Sequence, residues 1–272
     1  MLKDITIGQY IPGDSFVHKL DPRTKILISF IFIASLFIVD KFWGYIFIIA
    51  FLGATVLISK LQFKYLYKGL KPVFLLIAIT AALNIFMIKG TEDTLIWHWK
   101  FLYIYKEGIR TAIFMALRLI LLIMGTSVLT LTTSPIELTD GIESLLKPFK
   151  KIGVPAHELA MMMTIALRFI PTLIDETDKI MKAQKARGAD FESGNIIQKA
   201  KSLIPLLIPL FISSFRRADE LAMAMEARCY RGGDGRTRMK ILKYSKNDFI
   251  SFGMAGVLLV LSIKVGINLK AI

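Results

Sequence analysis

This chain of 272 residues is strongly apolar and strongly basic. Hydrophobic residues make up 54% of the sequence and the mean hydropathy is +0.57, whereas soluble domains contain roughly 45 to 50% apolar residues. The composition therefore excludes an ordinary soluble protein and predicts an integral membrane protein. The net charge of +14 does not indicate nucleic-acid binding, because the basic residues flank apolar runs, where they set membrane topology.

The apolar segments predict an all-α fold with about five transmembrane helices. Two segments, Ile26–Val39 and Trp43–Ser59, predict a short helical hairpin, because each is shorter than the ~20 residues of a straight span. The remaining spans are predicted at Pro72–Ile88, Glu107–Thr133 and Asp248–Ile267. A different division of these segments would change the count by one.

The segment Lys89–Lys106 between the third and fourth spans permits two interpretations. The rings of Trp97, Trp99, Tyr103 and Tyr105 are of the amphipathic kind that settles at a membrane interface. The alternation of side chains along this segment instead favours a short β-strand.

Arg118 is a charged residue inside the fourth predicted span. A charge in that position is costly unless it faces protein or water. One interpretation is a structural anchor against a neighbouring helix, and the other is an arginine that snorkels to the outer interface.

The distribution of lysine and arginine predicts which side of the membrane each loop faces. Segments 1–25, 60–71 and 134–247 hold 27 of the 35 basic residues, and short basic loops face the cytoplasm. We therefore expect a multi-pass protein of the cell membrane with a cytoplasmic N-terminus and a basic loop at 231–246. In the second segment, lysines recur every three or four residues and predict one face of a helix: Lys60, Lys64, Lys68 and Lys71.

A cytoplasmic helical domain is predicted at 134–247, between a membrane domain at 1–133 and a last transmembrane helix and tail at 248–272. It opens on Ser134-Pro135-Ile136-Glu137, a helix-start signature of a capping serine, a proline in the first turn and a glutamate three residues after the serine. The apolar residues that follow share one face, so this amphipathic helix should lie flat on the membrane surface or against its neighbours.

A long helix is predicted over the run Ile165–Asp190, which begins apolar and becomes polar halfway. Acidic residues precede the lysines along it, the order that the helix dipole favours. Gly188 is placed to cap the C-terminus in a left-handed conformation. The helix should therefore end at Ala186-Arg187-Gly188, with Arg187 at its tip.

The same pattern returns 41 residues later, where Phe211–Arg231 contains Ala227-Arg228-Cys229. We call Ala186-Arg187-Gly188 and Ala227-Arg228-Cys229 the two arginine tips. Two matched tips predict two matched receivers, most simply the halves of a pseudo-symmetric dimer. Cys229 stands where the first tip has glycine and does not adopt a left-handed conformation cheaply, so an alternative is that the second helix runs on to Gly232.

Four segments together carry a resemblance to a known family: LRFIPTLIDETDKIMKAQKARG, the second arginine tip, TTSPIELTDGIESLLKPFKKIGVP and HKLDPRTKI. They resemble the transmembrane coupling subunit, or T component (EcfT family), of energy-coupling factor transporters. The resemblance implies a vitamin or metal-ion importer of the ABC type, in which this subunit joins two ATP-binding subunits to a small substrate-binding membrane subunit, the S component. It also implies that Arg187 and Arg228 dock in grooves of the two ATPase subunits and that the S component selects the substrate.

The apolar faces of the two tip-bearing helices are predicted to bind the S component, because they are too apolar for water alone. The residues predicted for this contact are Leu167, Ile170 and Met181 on the first helix and Leu221, Ala222 and Met225 on the second.

We predict no catalytic residues, no cofactor and no metal site. The sequence lacks the GxxxxGK[ST] pattern of a phosphate-binding loop, and its three histidines are far apart along the chain. Asp175, Glu176 and Asp178 are interpreted as solvated charges on a helix that has left the lipid.

Two rival functions are a conventional ABC importer permease with its own substrate path and a membrane-embedded enzyme. The permease requires polar residues that converge in mid-membrane, and the candidates are few: Asn84, Arg118, Thr126 and Ser127. The enzyme would use Asp140, Glu143, Asp175 and Asp178.

Overall fold

The computed structural model describes residues 10–88, 95–99, 102–191, 195–233 and 241–267. The chain divides into two compact units, which we call the membrane unit (8–141 with 242–272) and the tip unit (142–241). The units meet along the chain at 141/142 and 241/242, whereas the sequence predicts domain limits at 133/134 and 247/248. The assignment of 134–247 to a cytoplasmic domain stays a prediction.

The described part of the membrane unit consists mainly of helices joined by short turns. They are α1 (Pro22–Ile38), α2 (Phe42–Ser59), α3 (Phe63–Leu70), α4 (Phe74–Met87), α5 (Lys106–Thr132), the start of α6 (Pro135–Leu146) and α10 (Lys246–Ile267). A 3-10 turn at Lys71–Val73 joins α3 to α4, so 63–87 is one continuous helical segment. Pro72 lies in this turn, inside the continuous segment and not at its start, where a proline has no N–H to donate to the preceding turn.

Five helical segments of the described chain are long and apolar enough to cross a membrane: Phe42–Ser59, Phe63–Met87, Lys106–Thr132, Ala156–Ala186 and Lys246–Val265. The predicted class, an all-α membrane protein with about five such helices, is confirmed. The membership of the set differs from the prediction. α1, with 17 residues, is not among these five segments. The fifth candidate is instead Ala156–Ala186, whose first half is apolar enough to qualify.

The core of the membrane unit lies between α1, α2 and α5. Large apolar side chains of these helices are almost completely buried, and Leu66 of α3 and Leu258 of α10 join them. The members from the three central helices include Phe32, Leu36, Ile48, Val56, Leu121 and Val128.

Arg118 of α5 anchors the turn between α1 and α2. Its Nη2 donates to the carbonyl oxygen of Val39 at 3.1 Å and to Asp40 Oδ1 at 3.3 Å, and its Nε donates to the Tyr45 hydroxyl at 3.2 Å. Asp40 is largely exposed, so the ion pair contributes little to stability. The bonds to Val39 and Tyr45 connect α5 to the end of α1 and to α2. The structure therefore shows the anchor rather than an arginine that snorkels away from protein.

Replacing Arg118 with methionine, which keeps the apolar stem, is expected to destabilise the membrane unit by about 1–3 kcal/mol, because the carbonyl and hydroxyl lose their donor. Thermal unfolding of the detergent-solubilised protein measures the effect. Arg110→Met, on the exposed side of the same helix, is the matched control and should change the melting temperature much less. Equal shifts in the two variants would contradict the anchor.

The segment between α4 and α5 contains a β-hairpin. β1 (Leu95–Trp99) pairs antiparallel with β2 (Leu102–Tyr105), with Trp97 opposite Ile104. The strand interpretation of this segment is therefore correct for the described residues, and 89–94 with 100–101 lie outside them.

The tip unit continues α6 and contains α7 (Ala156–Ala186), α8 (Ile196–Ser202) and α9 (Ile204–Ala227). α6 begins as predicted, since the Glu137 N–H donates to Ser134 Oγ at 3.3 Å, and a 3-10 turn ends at Gly153 with a positive φ. Asn195 caps α8, and its N–H donates to the side chain of Gln198 at 3.1 Å. Of the predicted basic loop at 231–246, residues 234–240 lie outside the described chain.

Candidate functional site

The two tip-bearing helices, α7 and α9, pack against each other in antiparallel directions. The side-chain amide of Gln184, near the end of α7, donates to the carbonyl oxygen of Pro205 at the start of α9. At the other end of the pair, His157 in the first turn of α7 lies 3.4 Å from the hydroxyl of Tyr230, just beyond α9. The two C-termini therefore point in opposite directions.

Between these two ends, Glu176 of α7 contacts Arg217 of α9. Arg217 Nη2 donates to Glu176 Oε2 at 2.6 Å, and the hydroxyl of Ser213 donates to Glu176 Oε1. Both charged side chains are partly buried. The interpretation of Glu176 as a solvated charge is therefore wrong, because α9 supplies a partner that the pattern of α7 alone does not reveal.

Glu176 and Arg217 are also equivalent positions of the repeat, since they are 41 residues apart, as are Arg187 and Arg228. Around a two-fold axis, a residue at the centre meets its own counterpart. The antiparallel helices therefore bring equivalent residues of the repeat, with opposite charges, into contact, and we call Glu176 and Arg217 the crossing pair.

Removing one partner of this crossing pair, in Glu176→Ala, is expected to lower the stability of the tip unit by about 1–3 kcal/mol, because Arg217 loses a partly buried acceptor. The exchange Glu176→Arg with Arg217→Glu should restore most of the loss. A double-mutant cycle on thermal unfolding measures the coupling between the two side chains. A coupling energy near zero would show that the contact contributes nothing to the crossing.

The first arginine tip ends α7 in a Schellman motif. The N–H of Gly188 donates to the Lys185 carbonyl and that of Ala189 to the Gln184 carbonyl, both at 3.0 Å. Gly188 has a φ of +90°, so the predicted left-handed cap is confirmed. This motif satisfies two of the last helix carbonyls and stops the helix directly after Arg187.

The second arginine tip has the same cap despite its cysteine. The N–H of Cys229 donates to the Glu226 carbonyl at 2.8 Å and that of Tyr230 to the Met225 carbonyl at 3.0 Å. Cys229 adopts a φ of +56°, and α9 ends at Ala227. The alternative in which this helix runs on to Gly232 is therefore wrong, because the two cap bonds hold an ordinary side chain in the left-handed region.

The left-handed backbone at Cys229 predicts that the stability of the second tip depends on the side chain at this position. Cys229→Gly should keep the tip intact, since glycine adopts this conformation without strain. Cys229→Val should destabilise the second tip by about 1–2 kcal/mol, because a β-branched residue is strongly disfavoured at positive φ. Hydrogen exchange at the last turn of α9, compared with that of α7 in the same variant, measures the change. Equal protection in the two variants would contradict it.

Both arginines of the tips are exposed. Neither guanidinium has a hydrogen bond or an ion pair within the described residues. Each lies eleven residues beyond the crossing pair, and a rise of about 1.5 Å per residue carries each about 16 Å outwards. We call the part of each helix between the crossing pair and its tip an arm. Because the two arms point in opposite directions, the tips lie roughly 30 Å apart along the helix axes.

The second tip is tethered to the beginning of α7. His157 Nδ1 lies 3.1 Å from Glu143 Oε1 of α6, and its Nε2 faces the hydroxyl of Tyr230. Gly233 packs so closely on the His157 ring that a β-carbon there would overlap it. The chain after the second tip is thus fixed to the helix that carries the first.

The six residues predicted to bind the S component do not lie on one surface. Ala222 is exposed, whereas the others are only partly exposed. Leu221 and Met225 continue the side of α9 that bears Arg217, the side that packs on α7. The predicted residues that are partly exposed are Leu167, Ile170, Met181, Leu221 and Met225.

The sequence interpretation missed most of an exposed apolar surface on the opposite side of α9. Phe211 is 65% exposed and Phe215 57% exposed, and Ala222 lies on the same side two turns further on. We call this surface the outer row of α9; its exposed members are Ile204, Ile208, Phe211, Phe215, Ala218 and Ala222. Its helical spacing was a signal available in the sequence.

Within the described residues, no group of three His, Cys, Asp or Glu side chains is arranged to hold a metal ion. Two of the carboxylates considered for an enzyme have different surroundings. Glu143 contacts His157, whereas Asp175 is exposed on α7.

Comparison with known proteins agrees with the resemblance seen in the sequence. The cobalt transport protein family, CbiQ, matches residues 13–240. The energy-coupling factor transporter transmembrane protein EcfT of Clostridium kluyveri is 73% identical over 263 residues, which are 97% of this chain and 97% of that protein. The protein of the same name from Thermosediminibacter oceani is 62% identical over 262 residues, which are 96% of this chain and 98% of that protein. The one from Bacillus subtilis is 48% identical over 248 residues, which are 91% of this chain and 93% of that protein. Because these similarities extend over nearly its whole length, the chain belongs to the CbiQ family and is a transmembrane component of energy-coupling factor transporters, a role in transport rather than catalysis.

Proposed function

We propose that this chain couples two ATP-binding subunits of the ABC type to a small substrate-binding membrane subunit, the S component, and so drives uptake of a vitamin or a metal ion. The observation that carries the proposal is the pair of arginine tips. They have the same cap, are both exposed, and lie at opposite ends of two antiparallel helices that contact each other at equivalent residues. Two equivalent tips suit two equivalent receivers.

Each arginine suits an acidic groove of an ATPase subunit. Guanidinium is permanently charged and presents a rigid fork of donors that matches a carboxylate bidentately. Because each arginine follows directly on the last helical residue, its position is tied to the helix axis. A displacement of the groove would then displace the whole arm of α7 or α9.

The crossing pair would let the two arms act together. ATP binding and hydrolysis in the partners would move both tips, and the contact between Glu176 and Arg217 would transmit each movement to the other helix. The outer row of α9 would pass that movement to the S component, reorienting it in the membrane. In this proposal the two arginine tips face the cytoplasm, as does the N-terminus, and the chain performs no chemistry of its own.

The rival permease finds little support in the membrane unit. Its candidate polar groups are used locally: Thr126 donates to carbonyls of its own helix, as does Asn84, and Arg118 anchors the turn between α1 and α2. A substrate path would need such groups to converge on one cavity.

Reconstitution tests the proposal directly. The tagged chain is co-expressed with the ATP-binding subunits and an S component of its host, and the purified assembly is placed in liposomes. We expect one copy of the chain with two ATPases and one S component, and substrate uptake only when ATP is supplied on the ATPase side. Uptake by the chain alone, or with ATPases but no S component, would support the permease instead.

A further inference from the structure

A second surface, on the membrane unit, carries charge that the coupling function does not use. Four exposed lysines lie on or beside α3, at the end of α2 and the start of α4: Lys60, Lys64, Lys68 and Lys71. Leu66 is 2% exposed and packs into the core. Lys64 and Lys68 are each two residues from Leu66, so they point to the opposite side of the helix.

These lysines lack acidic neighbours. No Asp or Glu occurs anywhere between Asp40 and Glu92 in the sequence, and none of the four lysines makes an ion pair with another described residue. Four like charges on two turns of helix repel one another. A surface of this kind is stabilised when an anion covers it.

Aromatic rings accompany the lysines. Phe63 is 66% exposed, Tyr67 70% and Phe74 70%, in a row alongside Lys64, Lys68 and Lys71. Exposed aromatic rings next to lysines are typical of the level of the lipid headgroups, where one end of the side chain meets hydrocarbon and the other meets water.

The chain path places this surface at the edge of the bilayer. α2 ends at Ser59, and the helical segment 63–87 begins four residues later; both are candidate spans. Since about 20 residues cross the hydrocarbon, the 25 residues of 63–87 leave roughly the first turn or two outside it. α3 is therefore held at the headgroups by the spans on either side.

We infer that the lysines and aromatic rings of 60–74 form a binding surface for anionic phospholipid headgroups. The lysines supply ammonium donors to the phosphate and to a negatively charged headgroup, and the rings contact the adjoining acyl chains. An acidic protein partner would also suit the charge, but it would not account for exposed phenylalanines beside two membrane spans. The occupant is therefore lipid.

The test measures which lipids remain bound to the full-length chain. The protein is reconstituted in vesicles of phosphatidylglycerol and phosphatidylcholine mixed one to three, extracted in mild detergent, and its bound lipids are quantified by mass spectrometry. We expect phosphatidylglycerol to be enriched over the bulk mixture, and the enrichment to fall at least threefold when the four lysines are changed to glutamine. High salt should lower it in the natural protein, because the attraction is electrostatic.

A charge-matched control separates this surface from the overall positive charge. Changing four exposed lysines of the tip unit to glutamine removes the same charge elsewhere: Lys147, Lys151, Lys199 and Lys201. This variant should keep the enrichment, and Phe63→Ala with Tyr67→Ala should lower it in part. Equal loss in both lysine variants would overturn the inference, as would unchanged lipid enrichment in the first variant. Thermal unfolding of each variant confirms that it is folded.

Discussion

Changing Arg187 and Arg228 together to alanine is expected to abolish both assembly with the ATP-binding subunits and substrate uptake. Each arginine is exposed at a capped helix end. Losing one should cost about 2–5 kcal/mol at its contact, because the partner carboxylate would be left buried and unpaired. A single change should weaken the complex without destroying it, since two linked contacts bind far more tightly than one.

Pull-down of the ATPases and an uptake assay on the same variants measure this result. Arg168→Ala with Arg216→Ala is the matched control, because it removes two exposed arginines from the same two helices away from their tips. Arg→Lys at both tips should retain only part of the assembly and uptake, because lysine keeps the charge but lacks the fork of donors. An intact ATPase complex and normal uptake in the double tip variant would refute the coupling mechanism.

The arginine tips could be located from sequence because capping is local. Gly188 and the polar second half of α7 mark the end of one helix, and the repeat marks the other. The conformation of Cys229 could not be read in the same way, because residue preference at positive φ disfavours cysteine. What decides it is the pair of cap bonds to Glu226 and Met225, which outweigh the strain.

The crossing of α7 and α9 was only partly accessible to sequence reasoning. A charge such as Glu176 looks solvated when its own helix is considered alone. The 41-residue repeat does place an opposite charge, Arg217, at the equivalent position. Using that signal requires knowing that the helices run antiparallel and cross at this point, which depends on tertiary packing. The hydrophobic pattern predicted the number of candidate spans, but it placed one of them at α1 instead of α7.

Which apolar side of α9 faces outwards was likewise not decided by the sequence. Apolar residues occur on both sides of this helix, and the side with Leu221 and Met225 is the one that packs on α7. Helical periodicity shows that two rows exist, whereas only the packed pair shows which row remains exposed. The structure therefore directs the test of the S-component contact to Ala222 and the outer row of α9.

Ala222→Glu is expected to release the S component while the ATPases remain bound. Ala222 is exposed on the outer row of α9 and lies six residues before Arg228, so the change leaves the tip and its cap untouched. Burying an unpaired carboxylate in an apolar interface should cost at least about 3 kcal/mol, which is more than a hundredfold in affinity. Met225→Glu is a less specific test, because that side chain is partly buried on the side toward α7.

Co-purification of the S component and of the ATPases with the tagged chain measures both contacts in one experiment. Ala200→Glu on α8 makes the same substitution at an exposed position of the tip unit and should leave both partners bound. Phe215→Asp changes another residue of the outer row of α9 and should also release the S component. Loss of the ATPases with retention of the S component in Ala222→Glu would refute the assignment, because it would place the ATPase contact on the outer row of α9 instead of at the arginine tips.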